Sequence, residues 1–220
     1  MSKIKACIFD LDGVIVDTAK YHYIAWKEIA RELNFDFTEH DNERLKGVSR
    51  MRSLDILLEI GNLHLDSATK NMLAEKKNNI YVGYIEKMNY DEILPGVLPF
   101  LRELDNAGIP AAIGSASKNT PLILQRIGLS GYFKSVVDGN KTSKAKPDPE
   151  VFLLAASELN TNPGNCVVFE DAEAGIEAAL AGGMHTVGVG SPQILGKAEL
   201  VIPGFSEMNL NRLLTFFEKN

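Results

Sequence analysis

Residues 4–18 read IKACIFDLDGVIVDT, and this stretch decides the fold. Ile4–Phe9 is a short apolar run, as expected of a buried strand, and it ends on Asp10. A loop follows, with Gly13 as its turn residue. A strand that ends on a carboxylate, with a second carboxylate two residues on at Asp12, sets the question for the rest of the chain. What else does the fold bring to that rim?

From this strand toward the C-terminus, the pattern turns helical. Ala19–Leu33 reads as a helix with Ile24, Trp26, Ile29, Ala30 and Leu33 available for packing. Ser49–Ile60 and Asp66–Met88 also read as helices, and Gly61 stops the first of them. No strand signal interrupts residues 15–94. After Pro95–Gly96 the rhythm changes to alternation. Helices are expected at Val97–Ala107, Asn119–Ile127, Ala172–Ala181 and Leu210–Phe217, and from Pro149, capped by Asp148, to Leu159. Strands are expected at Ile109–Gly114, Ser135–Val137, Cys166–Phe169, His185–Val189 and Glu199–Ile202. Alternation of this kind gives a parallel sheet with helices on both faces. The predicted architecture is therefore α/β, a core of residues 1–14 and 95–220 interrupted by an α-helical insert at 15–94.

The bulk composition fits one such domain with an insert. The chain has 220 residues, 45% hydrophobic and 24% charged, with a net charge of −6. No Lys/Arg run interleaves with aromatics, which argues against a nucleic-acid partner. No apolar stretch is long enough for a membrane span, and no signal-peptide core precedes the first strand. Cys7 and Cys166 sit in apolar runs without metal or redox spacing, as expected of small buried side chains in a reduced cytoplasm. A monomer suffices for everything that follows.

In an open parallel sheet, ligands bind beyond the carboxyl ends of the strands. Asp10 and Asp12 follow the first strand; Ser115, Ala116, Ser117, Lys118 and Asn119 follow the second. The third leads to Lys146–Pro147, and the fourth to Glu170 and Asp171. Converging carboxylates repel one another unless a cation sits among them, and an all-oxygen set suits Mg²⁺. Lysines and hydroxyls suit phosphate oxygens, and a carboxylate can itself accept a phosphoryl group. Each member alone has a plain alternative. DxD can be a turn, Ser115 and Ser117 can be helix caps, Lys146 a solvated loop lysine, and Glu170–Asp171 a charge pair at a helix start. Their joint placement after successive strands carries the catalytic reading.

The segments DLDG (10–13), GSASKN (114–119), KPDPEVF (146–152) and FEDAEAGI (169–176) resemble, in order, the four motifs of the haloacid dehalogenase-like superfamily. That resemblance implies a Rossmann-like core with a helical cap after the first motif. DLDGVIVDTAKYHYIAW (10–26), LKGVSRMRSL (45–54), KKNNIY (76–81) and SASKNTP (115–121) resemble the β-phosphoglucomutase family within it. This narrower resemblance implies interconversion of β-glucose 1-phosphate and glucose 6-phosphate through β-glucose 1,6-bisphosphate. It implies Asp10 as the phosphorylated nucleophile and Asp12 as the acid/base. Mg²⁺ would lie on Asp10, the Asp12 carbonyl, Glu170 and Asp171. Ser115, Ala116, Lys146 and Asn119 would hold the transferring phosphate, with Lys118 on the same loop. Arg50, Ser117 and Asn119 would hold the other phosphate. Thr18 and His22 would stand at the hinge, and Gly47, Val48, Ser53 and Lys77 would meet the sugar, with Lys76 as an alternative to Lys77. A sugar-phosphate phosphatase on the same scaffold, a phosphonate hydrolase and a non-catalytic binding protein are the competing readings.

Overall fold

The computed structural model describes residues 4–45 and 47–219; residues 1–3, Lys46 and Asn220 lie outside it, and with them the expected chain-end domain limits. Six strands form one sheet: β1 Ala6–Phe9, β2 Ala111–Gly114, β3 Ser135–Val137, β4 Cys166–Glu170, β5 His185–Val189 and β6 Leu200–Ile202. Their spatial order is β3-β2-β1-β4-β5-β6, and every pairing is parallel. β1 is thus interior, and the strand order reverses beside it, between β1 and β4. That is where an open sheet forms its ligand crevice.

Side chains alternate across a strand, so β1 sends Cys7 and Phe9 to one face, Ala6 and Ile8 to the other. The first face packs against α5 Val97–Asn106, α6 Thr120–Arg126 and α9 Leu210–Lys219. The second packs against α7 Glu150–Glu158 and α8 Glu173–Ala181. Phe9 stacks on its register partner Phe169, ring centroids 4.8 Å apart and nearly parallel, with Phe100, Phe133 and Phe205 around the pair. The aromatic group sits directly beneath Asp10 and fixes the end of β1.

The remaining helices come from the insert: α1 Ala19–Glu32, α2 Glu39–Glu43, α3 Arg50–Ile60 and α4 Ser67–Ile85. They bury a cluster of their own, including Trp26, Ile29, Phe37, Leu54, Leu57 and Leu73. Ala25, Tyr81 and Ile85 instead join the sheet-side cluster. The chain leaves and re-enters the sheet region side by side. Val16 bridges Ile93 in antiparallel fashion, and the Leu94 amide donates to the Ile15 carbonyl at 2.9 Å.

Several expected boundaries shift for identifiable reasons. Ile109 and Pro110 precede β2, and proline cannot donate to the ladder. β4 runs one residue further than expected, through Glu170, so this carboxylate belongs to the strand itself. Asp148 is not the N-cap of α7. Pro149 is, and Asp148 accepts the Glu150 amide from outside the helix at 3.0 Å. α2 is five residues long and too short to show a period; its signal was the capping box between Thr38 and Asp41. Ile24, expected to pack, is exposed on α1. Lys146–Pro147 is cis. Replacing Phe9 by Ala should lower unfolding stability by about 3–5 kcal/mol, read as a fall in the urea midpoint at unchanged slope; a shift under about 1 kcal/mol would mean that the ring stack is not a keystone.

Candidate active site

Asp10 stands at the end of β1, and its amide donates to the Phe169 carbonyl at 2.9 Å. Lys146, from the segment between β3 and α7, reaches it at 2.6 Å and reaches Glu170 at 3.2 Å. All three are buried, and Glu170 has no exposed surface. Burial works against the charge on Lys146, but the two carboxylates outweigh it and raise its pKa above the ordinary lysine value. Glu170 is pushed well above the usual carboxylate range, first by burial and then by the charge on Asp10, with Lys146 opposing.

Asp171 completes the acidic group. One oxygen each from Asp10, Glu170 and Asp171 lie within 4.8 Å of one another. Two glycines make room for this approach. A side chain at Gly175 would overlap the Glu170 carboxylate, and one at Gly13, whose φ is +81°, would overlap that of Asp171. The donor set is all oxygen, anionic and only partly compensated by Lys146, which fits a hard divalent cation.

The β2–α6 loop supplies hydroxyls. Ser115 Oγ accepts the Ser117 amide at 3.1 Å, and Ser117 Oγ accepts the Asn119 amide at 3.3 Å. With the oxygens fixed by backbone N–H groups, each hydroxyl proton is left to point toward an anion. The reading of these serines as caps is set aside, since Asn119 is the N-cap of α6.

Asp12 accepts a hydrogen bond from the Thr18 hydroxyl. Thr18 occupies the N-cap position of α1 but makes no capping bond, so its hydroxyl serves the acid instead of the helix. Burial above all, then the neighbouring Asp10 charge, raises the Asp12 pKa to about 6, against the pull of Thr18, Lys146 and Lys77.

On the insert side, His22 Nδ1 lies 2.8 Å from Lys77 Nζ, and its ring lies 4.1 Å from that of Tyr81. Lys77 is only 2% exposed and has no carboxylate partner among the described residues. Its ammonium lies over the rings of Trp26 and Tyr81, at 4.9 and 4.5 Å. Burial, aided by Arg50, brings the Lys77 pKa down to about 7, with Asp12 opposing. His22 is held well below its ordinary value by burial, then by the charges on Lys77 and Arg50. Of the two candidate lysines, Lys76 points away and pairs with Glu32 on the surface.

These groups surround one cavity of about 530 Å³ between the sheet rim and the insert. Asp10, Asp12, Thr18, His22, Gly47, Val48, Arg50, Ser53, Lys77, Ser115, Ala116, Ser117, Lys118, Asn119, Lys146 and Asp171 all line it. Glu170 alone of the expected site residues lies behind the wall. Sequence reasoning missed Trp26 and Tyr81 as walls of the cavity, and missed Asn78. Asn78 Oδ1 accepts from Arg50 Nη2 at 2.8 Å and from Asn119 Nδ2 at 2.9 Å. Its signal was position alone, in the KKNNIY segment next to Lys77.

The model of the haloacid dehalogenase-like hydrolase family matches residues 4–183. The chain belongs to this family. Within the haloacid dehalogenase-like hydrolases, it is 43% identical to the β-phosphoglucomutase of Bacillus subtilis over 96% of this chain and 94% of that one. The crystal structure of the β-phosphoglucomutase of Clostridium difficile superposes with a TM-score of 0.94 at 42% identity, covering 98% of both chains. A phosphorylated-carbohydrate phosphatase of Thermotoga maritima is 30% identical over 84% of each chain. No helix among the described residues is long and apolar enough to cross a membrane.

The buried triad gives a direct test. Replacing Lys146 by Met leaves two buried carboxylates without their shared cation. In chelator, it should cost about 3–5 kcal/mol of stability by urea unfolding. A variant as stable as the parent would show that the carboxylates do not depend on Lys146.

Proposed function

We propose that the chain interconverts β-D-glucose 1-phosphate and D-glucose 6-phosphate, passing a phosphoryl group through Asp10 and a β-glucose 1,6-bisphosphate intermediate. One observation carries this reading. The alignment to a β-phosphoglucomutase at 43% identity spans the insert as well as the core, and insert residues line one side of the cavity. The core alone would suit a phosphatase equally well, because both chemistries begin with the same aspartyl phosphate.

Phospho-Asp10 is the resting donor. A sugar hydroxyl attacks its phosphorus in line, the hydroxyl proton passes to Asp12, and the bond from phosphorus to the Asp10 oxygen breaks. The bisphosphate turns over, the Asp10 carboxylate attacks its other phosphorus, and Asp12 returns the proton to the departing sugar oxygen. A pKa of about 6 lets one group serve as base and then as acid near neutral pH. Lys146, Ser115 and the Ala116 amide hold the transferring phosphate, and Arg50, Ser117 and Asn119 hold the other. Asp10, the Asp12 carbonyl, Glu170 and Asp171 would hold Mg²⁺, which would supply neutralising charge to the transferring phosphoryl group.

Water must be kept from phospho-Asp10 until sugar arrives. Residues 15–94 act as a cap on the core of 1–14 and 95–220, and closure over the sugar phosphate excludes water. The Thr18–Asp12 hydrogen bond crosses from cap to core, and the His22–Lys77 contact faces the same cavity from the cap side, which suits a link between closure and the placement of Asp12. The buried, unpaired Cys7 and Cys166 suit a reducing cytoplasm. All the residues named come from one chain, so a monomer is sufficient.

An anomer-resolved assay tests the reading. With Mg²⁺ and a trace of bisphosphate, β-glucose 1-phosphate should yield glucose 6-phosphate with little free phosphate, the α-anomer should not react, and Asp10→Asn should abolish turnover. Net phosphate release without isomerisation would establish the phosphatase instead.

A further inference from the structure

We infer that Asn78 is the positioning residue of the distal-phosphate clamp, fixing Arg50 of the cap and Asn119 of the core as a single unit. The inference rests on the sugar-phosphate reading above. Its basis is the convergence of two donors, 69 positions apart (119 − 50) and from opposite sides of the cavity, on one oxygen. Arg50 Nη2 and Asn119 Nδ2 reach Asn78 Oδ1 at 2.8 and 2.9 Å.

Each donor is otherwise under-determined. Arg50 is the first residue of α3 and has no carboxylate partner among the described residues, so nothing else anchors its guanidinium. Asn119 stands at the N-cap of α6, where an asparagine side chain ordinarily accepts an amide of the first turn. It makes no such bond, and its amide nitrogen turns to Asn78.

The donor count shows that the bridge and a phosphate are compatible. A guanidinium carries five N–H groups and a carboxamide nitrogen two. Asn78 takes one from each, which leaves both residues with N–H groups for an anion in the cavity that all three line. The bridge also decides which end of the Asn119 carboxamide is a donor. Released from Asn78, that side chain can rotate and turn its carbonyl oxygen toward the phosphate, which is repulsive. Asn78 is thus a polar residue on α4 whose work is to orient two other side chains.

The test is Asn78→Ala in the full chain. Alanine is a strong helix former, so the melting temperature should not fall. The KM for β-glucose 1-phosphate should rise about tenfold, the scale of about 1.4 kcal/mol of lost binding, with kcat within about twofold of the parent. Affinity for glucose 6-phosphate by calorimetry, which needs no turnover, should fall by the same factor. A merely structural role would not give the second signature: Asn78→Ala should weaken binding less in the Asn119→Ala background than in the parent, because only Arg50 is then left for it to orient. Equal glucose 6-phosphate affinity in parent and Asn78→Ala, or additive losses in the double variant, would overturn the inference. A parent that binds glucose 6-phosphate but does not isomerise it would sink the mutase reading alone, since the calorimetric comparison still decides the role of Asn78.

Discussion

A buried lysine ammonium held between two buried carboxylates is an arrangement that most folds avoid. Here Lys146 lies 2.6 Å from Asp10 and 3.2 Å from Glu170, with all three groups buried. Taking such charges out of water costs several kcal/mol per ion, and only close geometry offsets the cost. The fold supplies that geometry from three chain segments. β1 and β4 are adjacent and in register, so Asp10 and Glu170 emerge side by side, and the segment before α7 brings the lysine across. The stacked Phe9 and Phe169 rings hold both strand ends rigid from below. In the role proposed for Asp10, a carboxylate seated this way would meet its phosphate already oriented and already beside a cation.

A second constraint concerns polar side chains diverted from local use. Thr18 and Asn119 both occupy N-cap positions, and neither caps its helix. Each instead bonds across the site, Thr18 to Asp12 and Asn119 to Asn78. A forgone cap is worth about 1 kcal/mol of local stability, and in a fold selected only for stability these bonds would be made. Their absence at two helix starts, both on the cavity, marks where local helix stability gives way to site geometry.

Much of this was legible in the sequence, because parallel-sheet topology converts strand ends into neighbours. Asp10, Ser115, Lys146 and Glu170 are far apart in the chain yet lie at or beyond the ends of successive strands, and that pattern alone predicted their convergence. Period and punctuation sufficed for the long helices. They failed for α2, which is shorter than two helical turns, and for Ile24, whose helix has a polar flank at that angle. Asn78, Trp26 and Tyr81 were illegible for a different reason. Their roles depend on how the insert sits over the sheet, and no residue within the insert encodes that angle locally. The strength of the carboxylate cluster could be argued from sequence, whereas the lowered pKa values of His22 and Lys77 required knowing that the fold brings the two together with Arg50.

The two chain crossings between sheet and insert run side by side, Val16 bridged to Ile93 and Leu94 bonded to Ile15. Two threads tied together at one place act as a strap hinge rather than a ball joint. Such a strap bends readily about the line joining its threads and resists twisting, because twisting would shear the bonds between them. A hinge motion of the insert about this strap would thereby be reduced to nearly one degree of freedom. An arc with one degree of freedom has only one closed end, so the closure proposed above would return the same residues to the same partners across the cavity, without searching.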